Sequence, residues 1–250
     1  TALLSAIHTG QEGSPIDFES KVFHTGMLDH VAMEVADIAQ ISALGFPKAD
    51  PEAPIVPLGY GTIDTSKPVI LVIGHNVIPA TYIVDYLNTT GLTGEVEVCG
   101  LCCTAHDTVR YSQSAKIVGP ISWQLRFIRT GVPDVIVVDE QCIRADILNE
   151  ARKIGVPLIA ASEKACHGLT DMTSWDMDKI VSVLAEGKEP GALILDPEKV
   201  GEAAVKLAMK LSPMRSDFKG LPSKEELIQL AGKCRHCMMC QRACPNTLPI

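Results

Sequence analysis

The sequence predicts an α/β protein: a doubly wound, Rossmann-like parallel sheet with an N-terminal helical segment and a C-terminal partial ferredoxin-like 4Fe–4S module. From residue 68, short apolar runs alternate with amphipathic segments, as in βαβ units. The 250 residues are 46% hydrophobic but only 4% aromatic, which suits aliphatic parallel strands covered by helices. Near the end, four cysteines follow the spacing C-x2-C-x2-C-x3-C-P of 4Fe–4S ferredoxins.

Residues 1–67 form the predicted N-terminal segment. A helix is predicted over 24–44, because apolar residues recur every three to four positions and should form one buried face: Met27, Val31, Val35 and Ile38. Residues 46–67 contain four prolines and no clear period, so we interpret them as a connector.

Residues 68–212 form the predicted α/β domain. Its strands are expected at 68–73, 95–101, 116–118, 134–138, 157–161 and 192–195. Helices are expected near 78–90, 104–113, 121–130, 141–154, 176–186 and 196–211, the last capped by Asp196 with Pro197 at its first position.

Residues 213–250 form the predicted iron–sulfur module, whose first helix begins with a capping box from Ser223 to Glu226. Its cluster ligands are predicted to be Cys234, Cys237, Cys240 and Cys244. In two-cluster ferredoxins the fourth cysteine of this run binds the other cluster, so a partner run is expected beyond Ile250. A structural zinc site is the alternative interpretation of the run.

Composition excludes several classes of protein. The formal net charge of −8 argues against a nucleic-acid partner. No apolar stretch is long enough to span a membrane, and the first residues do not resemble a signal peptide. Nine cysteines are an odd count, and two of them are adjacent, which argues against a disulfide framework. A cytoplasmic protein is therefore expected.

Potential metal ligands follow three predicted strands. His75 comes after the first, Cys102 and Cys103 after the second, and Cys142 after the fourth. The carboxyl ends of parallel strands share one edge of the sheet, so an imidazole and two thiolates could meet at one soft-metal centre. Each residue also has an ordinary alternative, because lone cysteines are often buried hydrophobes, as is expected for Cys99 and Cys166.

The segments Val72-Ile-Gly-His75-Asn, Gly100-Leu-Cys-Cys103-Thr and Val137-Val-Asp-Glu-Gln-Cys142 resemble the ligand motifs of anaerobic nickel–iron–sulfur carbon monoxide dehydrogenases. The resemblance implies that His75, Cys103 and Cys142 bind the Ni–Fe–S cluster. The appended ferredoxin run is similar to that of the large subunit of the archaeal acetyl-CoA decarbonylase/synthase complex. The chain lacks the helical region with further clusters that precedes this part in the family, and three more active-site cysteines are expected beyond Ile250.

The resemblance implies reversible oxidation of CO with water to CO2, two protons and two electrons, in acetyl-CoA synthesis or cleavage. Electrons would leave through 4Fe–4S clusters to ferredoxin or another carrier. A homodimer of the full subunit is implied, together with a small second subunit and the other acetyl-CoA synthase components. Lys164 and His167 follow the fifth predicted strand at the same edge, so either could transfer protons. The alternative function is a non-catalytic electron-transfer module on an α/β scaffold.

Overall fold

The computed structural model describes residues 18–44, 59–218, 228–229 and 232–233. Within the first range, side chains are described from residue 26 to residue 39. The predicted cluster ligands of the ferredoxin-like module and its capping box lie outside the described residues. The domain boundaries at 67/68 and 212/213 stay predictions.

Six parallel strands form one sheet in the described part of the chain, which confirms the predicted fold class. They are β1 (Val69–Ile73), β2 (Glu97–Leu101), β3 (Lys116–Gly119), β4 (Val135–Val138), β5 (Leu158–Ala160) and β6 (Gly191–Leu193). Each lies within two residues of its predicted position. The strand order is β3-β2-β1-β4-β5-β6, the doubly wound order whose direction reverses between β1 and β4.

Helices cover both faces of the sheet. The α-helices are α1 (Phe18–Leu44), α2 (Ile78–Thr90), α3 (Cys103–Tyr111), α4 (Gln124–Ile128), α5 (Ile147–Lys153), α6 (Met177–Ala185) and α7 (Pro197–Leu211). Helices α2, α6 and α7 pack on one aliphatic core and α4 and α5 on the other. Asp196 caps α7 as predicted, because its carboxylate accepts the N–H groups of residues 198 and 199. No helix among the described residues is long and apolar enough to cross a membrane.

Helix α1 contacts the sheet domain through a different face from the one predicted. The four apolar residues expected to be buried are 48–61% exposed: Met27, Val31, Val35 and Ile38. Two carboxylates form hydrogen bonds to the domain from another face of the helix, which also carries Met33. Glu34 accepts hydrogen bonds from the backbone and hydroxyl of Ser122, and buried Asp37 accepts one from the N–H of Ile121. The prediction was wrong because carboxylate hydrogen bonds to N–H groups, and not apolar periodicity, select the docked face.

The predicted helix over 141–154 begins only at Ile147. Residues before it form a loop, because Cys142 adopts a left-handed backbone with φ of 59°, which a helix cannot contain. The predicted helix over 121–130 divides into a 3-10 turn at Ile121–Trp123 and helix α4. The first departure lies at the carboxyl end of β4, next to the point where the strand order reverses, and the second follows β3.

Candidate metal centre

Three potential ligands meet at the carboxyl edge of the sheet. His75 follows β1, Cys102 lies between β2 and α3, and Cys142 follows β4. One ligand atom from each residue lies within 4.8 Å of the others. The two thiols flank the imidazole, with Cys102 Sγ 3.6 Å from Nδ1 and Cys142 Sγ 3.7 Å from Nε2. We call His75, Cys102 and Cys142 the donor trio.

The donor trio contains Cys102, whereas the resemblance had implied Cys103. Cys103 is the first residue of α3 and is partly buried beside the trio. Cys103 follows Cys102 directly in the chain, so its thiol is a neighbour of the same centre. The described residues therefore bring His75 and Cys142 together, with the adjacent cysteine pair completing the group. The assignment of Cys103 as a ligand stays a prediction.

Backbone strain marks both cysteines of the donor trio. Cys102 has a φ of 70° and Cys142 one of 59°, values that side chains other than glycine rarely adopt. Each such residue costs of the order of 1–3 kcal/mol and persists where the surrounding structure fixes it. Such residues concentrate at ligand sites, and here the strain turns two thiols from separate loops towards one imidazole.

Helix α1 covers the centre. The Met33 thioether lies 3.2 Å from the Cys142 thiol, and Asp37 lies one turn further along the helix. The Asp37 carboxylate is 2.5 Å from Nε2 of His106, and both side chains are almost completely buried. His106 lies in the first turn of α3. The pair joins residues 69 apart, so no local pattern could have indicated it.

Gln124 fixes the loop that carries Cys142. Its side chain is buried, donates to the carbonyl oxygen of Cys142 and accepts the N–H of Arg144 at 3.1 Å. The Gln124 amide therefore binds the backbone at Cys142 and again two residues later, which fixes the strained loop. Sequence reasoning missed this role, since Gln124 lies within an apparently ordinary helical segment.

The pKa values of the two thiols of the donor trio are shifted in opposite directions. A hydrogen bond from Cys102 to Cys142 lowers the pKa of Cys142. The same bond, together with burial, raises the pKa of Cys102. Burial and the nearby Asp37 carboxylate raise the pKa of Cys103. Cys142 is therefore the first of these thiols to become the thiolate that a metal requires.

The two predicted proton-transfer residues lie in the loop after β5. Lys164 Nζ is 3.0 Å from a carboxylate oxygen of Glu140, which lies two residues before Cys142. His167 has a left-handed backbone with φ of 50°, and its buried Nε2 has no hydrogen-bond partner among the described residues. Burial lowers the pKa of His167, so this imidazole is neutral and able to accept a proton near pH 7.

The two remaining described cysteines, Cys99 and Cys166, are not members of the donor trio. Cys99 is fully buried in β2 and lies 3.4 Å from the carbonyl oxygen of Ile70, and burial raises its pKa. It is the small buried hydrophobe that the sequence predicted. Cys166 is partly buried in the loop after β5 and packs against the core formed with α4 and α5.

The sequence matches known proteins along almost its whole length. The profile of the Prismane/CO dehydrogenase family matches residues 1–239. The acetyl-CoA decarbonylase/synthase complex subunit alpha of Methanothermobacter thermautotrophicus is 60% identical over 248 residues, or 99% of this chain. The corresponding subunit of Methanocaldococcus jannaschii is 52% identical over 250 residues, or 100% of this chain. The chain spans only 32% of the length of each of these relatives.

Solved structures share the fold. Carbon monoxide dehydrogenase IV from Carboxydothermus hydrogenoformans matches 84% of this chain and 31% of its own, with a TM-score of 0.51 and 20% identity. A nickel-free carbon monoxide dehydrogenase from Thermococcus sp. AM4 matches 72% of this chain and 29% of its own, with the same TM-score and 22% identity. At such identities the likeness supports the arrangement of strands and helices alone.

Proposed function

Because the chain belongs to the Prismane/CO dehydrogenase family, we propose that it forms part of the large subunit of an anaerobic carbon monoxide dehydrogenase. The proposed reaction is CO + H2O to CO2 + 2 H+ + 2 e−, run reversibly within an acetyl-CoA decarbonylase/synthase complex. The observation that carries the proposal is the donor trio at the carboxyl edge of the sheet, where the strand order reverses.

The donor trio fits a soft transition metal. Thiolates and imidazole suit nickel, iron, copper or zinc and do not suit magnesium or calcium. The three donors come from separate loops, two of them with a strained cysteine, and lie within 4.8 Å of one another. His75, Cys142 and a thiol of the Cys102–Cys103 pair would therefore hold part of a Ni–Fe–S cluster. When bound, the cluster supplies Lewis acidity for activating water and accepts the two electrons.

The residues of this chain would prepare and shield the centre. Cys142 loses its proton first, because Cys102 donates a hydrogen bond to it, and His75 stays fixed between the two thiols. The other thiols that bind the metal would also have to lose their protons. Met33 excludes water from one side of Cys142.

Two residues at the rim would carry protons away from the reaction. His167 presents a buried nitrogen that is neutral near pH 7, so it can accept a proton. Lys164 lies in the same loop. It forms an ion pair with Glu140, which lies two residues before Cys142. We assign proton transfer to these two side chains on the basis of their position and charge.

The proposal extends to the electron path and the partners. Electrons would leave through 4Fe–4S clusters to ferredoxin or another carrier. Cys234, Cys237 and Cys240 would bind one of these clusters, and Cys244 would bind a second. The full subunit would act in the cytoplasm as a homodimer with a small second subunit and the other acetyl-CoA synthase components. The relatives named above are alpha subunits of the acetyl-CoA decarbonylase/synthase complex, which supports membership of a multi-subunit complex.

Metal analysis with a CO assay tests the function. We expect the intact subunit, purified without oxygen, to contain nickel together with iron and to reduce a viologen dye with CO. A His75→Ala variant should lose both nickel and CO oxidation, whereas the matched His30→Ala variant, at an exposed position of α1, should keep them. Iron without nickel, and no CO-dependent reduction, would instead indicate an electron-transfer module.

A further inference from the structure

We propose that Asp139 is the positioning residue that sets the separation of His75 and Cys142, by binding the loops after β1 and β4 with one buried carboxylate. The inference deepens the proposed function, on which it rests for the identity of the natural metal. It concerns a side chain outside the donor trio, at the end of β4.

The carboxylate of Asp139 is shared between the two loops. One oxygen accepts the N–H of Asn76 at 2.6 Å, in the residue after His75. The other oxygen accepts the N–H of Gln141 at 3.1 Å, in the residue before Cys142, and also the N–H of Glu140. The backbone N–H of Asp139 itself donates to Ile73, the last residue of β1, at 3.1 Å. The Asp139 carboxylate therefore binds the backbone of both loops that carry the ligands.

The close approach of Gly74 makes this arrangement rigid. A Cβ added to Gly74 would lie only 1.7 Å from a carboxylate oxygen of Asp139, and Gly74 has a φ of +136°. The carboxylate therefore occupies the space that a side chain on the His75 loop would fill. Asp139 is 3% exposed, so water does not compete for its hydrogen bonds.

The chemistry of the contacts requires an acid. An ionised carboxylate only accepts hydrogen bonds, and all three side-chain partners of Asp139 are N–H donors. An asparagine has the same shape but would turn an NH2 group towards at least one of these donors. That loop would then lose its anchor, and the distance between His75 and Cys142 would no longer be fixed.

The same strand pair contains a natural control at its other end. Asp134 precedes β4, is fully buried, and accepts the N–H of Val69, the first residue of β1, at 2.8 Å. It also pairs with Arg215 at 3.2 Å. Asp134 thus holds β1 and β4 together as Asp139 does, but at the edge away from the donor trio. A purely structural role would make the two acids equivalent.

Cobalt(II) binding separates positioning from stability. The probe is cobalt(II) chloride, added without oxygen to the metal-free 250-residue chain. Four substitutions keep the C-terminal module from binding it: Cys234→Ser, Cys237→Ser, Cys240→Ser and Cys244→Ser. The thiolate-to-cobalt absorption band reports occupation of the donor trio. We expect Asp139→Asn to weaken binding about 10- to 100-fold and to shift the band, as changes beside metal ligands generally do. Asp134→Asn should leave both unchanged.

Each contrary outcome overturns the proposal. Unchanged cobalt affinity and band in Asp139→Asn, or an equal loss in Asp134→Asn, would show that Asp139 does not position the ligands. An Asp139→Asn chain that fails to fold, as judged by circular dichroism, beside a folded Asp134→Asn chain would assign Asp139 a structural role. If the parent chain gives no cobalt–thiolate band, the donor trio does not bind metal. By contrast, a full subunit without nickel or CO oxidation would end the proposed function and leave the cobalt result standing.

Discussion

Adding a single methyl group at Gly74 should destabilise the protein strongly, because the Asp139 carboxylate occupies the space that the methyl group needs. In Gly74→Ala, the new methyl group would lie 1.7 Å from an Asp139 oxygen, so the carboxylate must move. Moving it breaks at least one charge-assisted hydrogen bond, worth about 1.5–3 kcal/mol. The φ of +136° adds backbone strain of about 1–3 kcal/mol for a residue with a side chain. We expect a total loss of roughly 4 kcal/mol in the free energy of unfolding.

Gly155→Ala is the matched control for this prediction. Gly155 also has a positive φ, +66°, but nothing lies within 4 Å of the Cβ position. This variant carries only the left-handed strain, about 1–2 kcal/mol. Urea denaturation of the metal-free chain, followed by circular dichroism in reducing buffer, gives both free energies. Losses that agree to within about 1 kcal/mol would refute the clash between Gly74 and Asp139.

Two further predictions concern other side chains. Cys142→Ala should remove nickel and CO oxidation from the intact subunit, because a thiolate ligand is lost, whereas Cys99→Ala should keep both; normal nickel content in Cys142→Ala would contradict the assignment. Hydrogen bonds from Arg129 and Lys153 lower the pKa of Glu150 from 4.5 to about 2, so the fold favours the ionised form. The resulting stability is present above pH 4.5 and is lost as the pH falls towards 2. Between pH 4.5 and pH 2, the free energy of unfolding measured with urea should therefore fall less in Glu150→Gln than in the parent chain. An equal fall in both chains would contradict this role of Glu150.

The sheet could be predicted from the sequence because its signal is local. Each strand is a short aliphatic run bounded by turn residues, and β1 reads Val-Ile-Leu-Val-Ile with every residue buried. The cap of α7 is equally local, since Asp196 and Pro197 lie at its start. The edge of the sheet at which His75 and Cys142 lie follows from parallel topology alone.

The parts that sequence reasoning missed depend on contacts between distant residues. The docked face of α1 is selected by Glu34 and Asp37, whose partners lie more than 60 residues away. The late start of α5 depends on the strained Cys142 and on the amide of Gln124. The sequence does not show which thiol of the adjacent cysteine pair faces His75. The pair lies between a strand and a helix, and the angle between neighbouring side chains is 180° in a strand but 100° in a helix.

Anomalous X-ray scattering from crystals of the intact subunit, recorded at the iron and nickel edges, would locate the metals themselves. We expect one metal cluster containing both elements at the carboxyl edge between β1 and β4. An iron peak should lie within bonding distance of the His75 imidazole, and a metal should bond to the Cys142 thiolate. The same maps would show whether Cys102 or Cys103 is the further ligand. Nickel located elsewhere in the subunit, with His75 and Cys142 bound to no metal, would show that these residues do not form the metal centre.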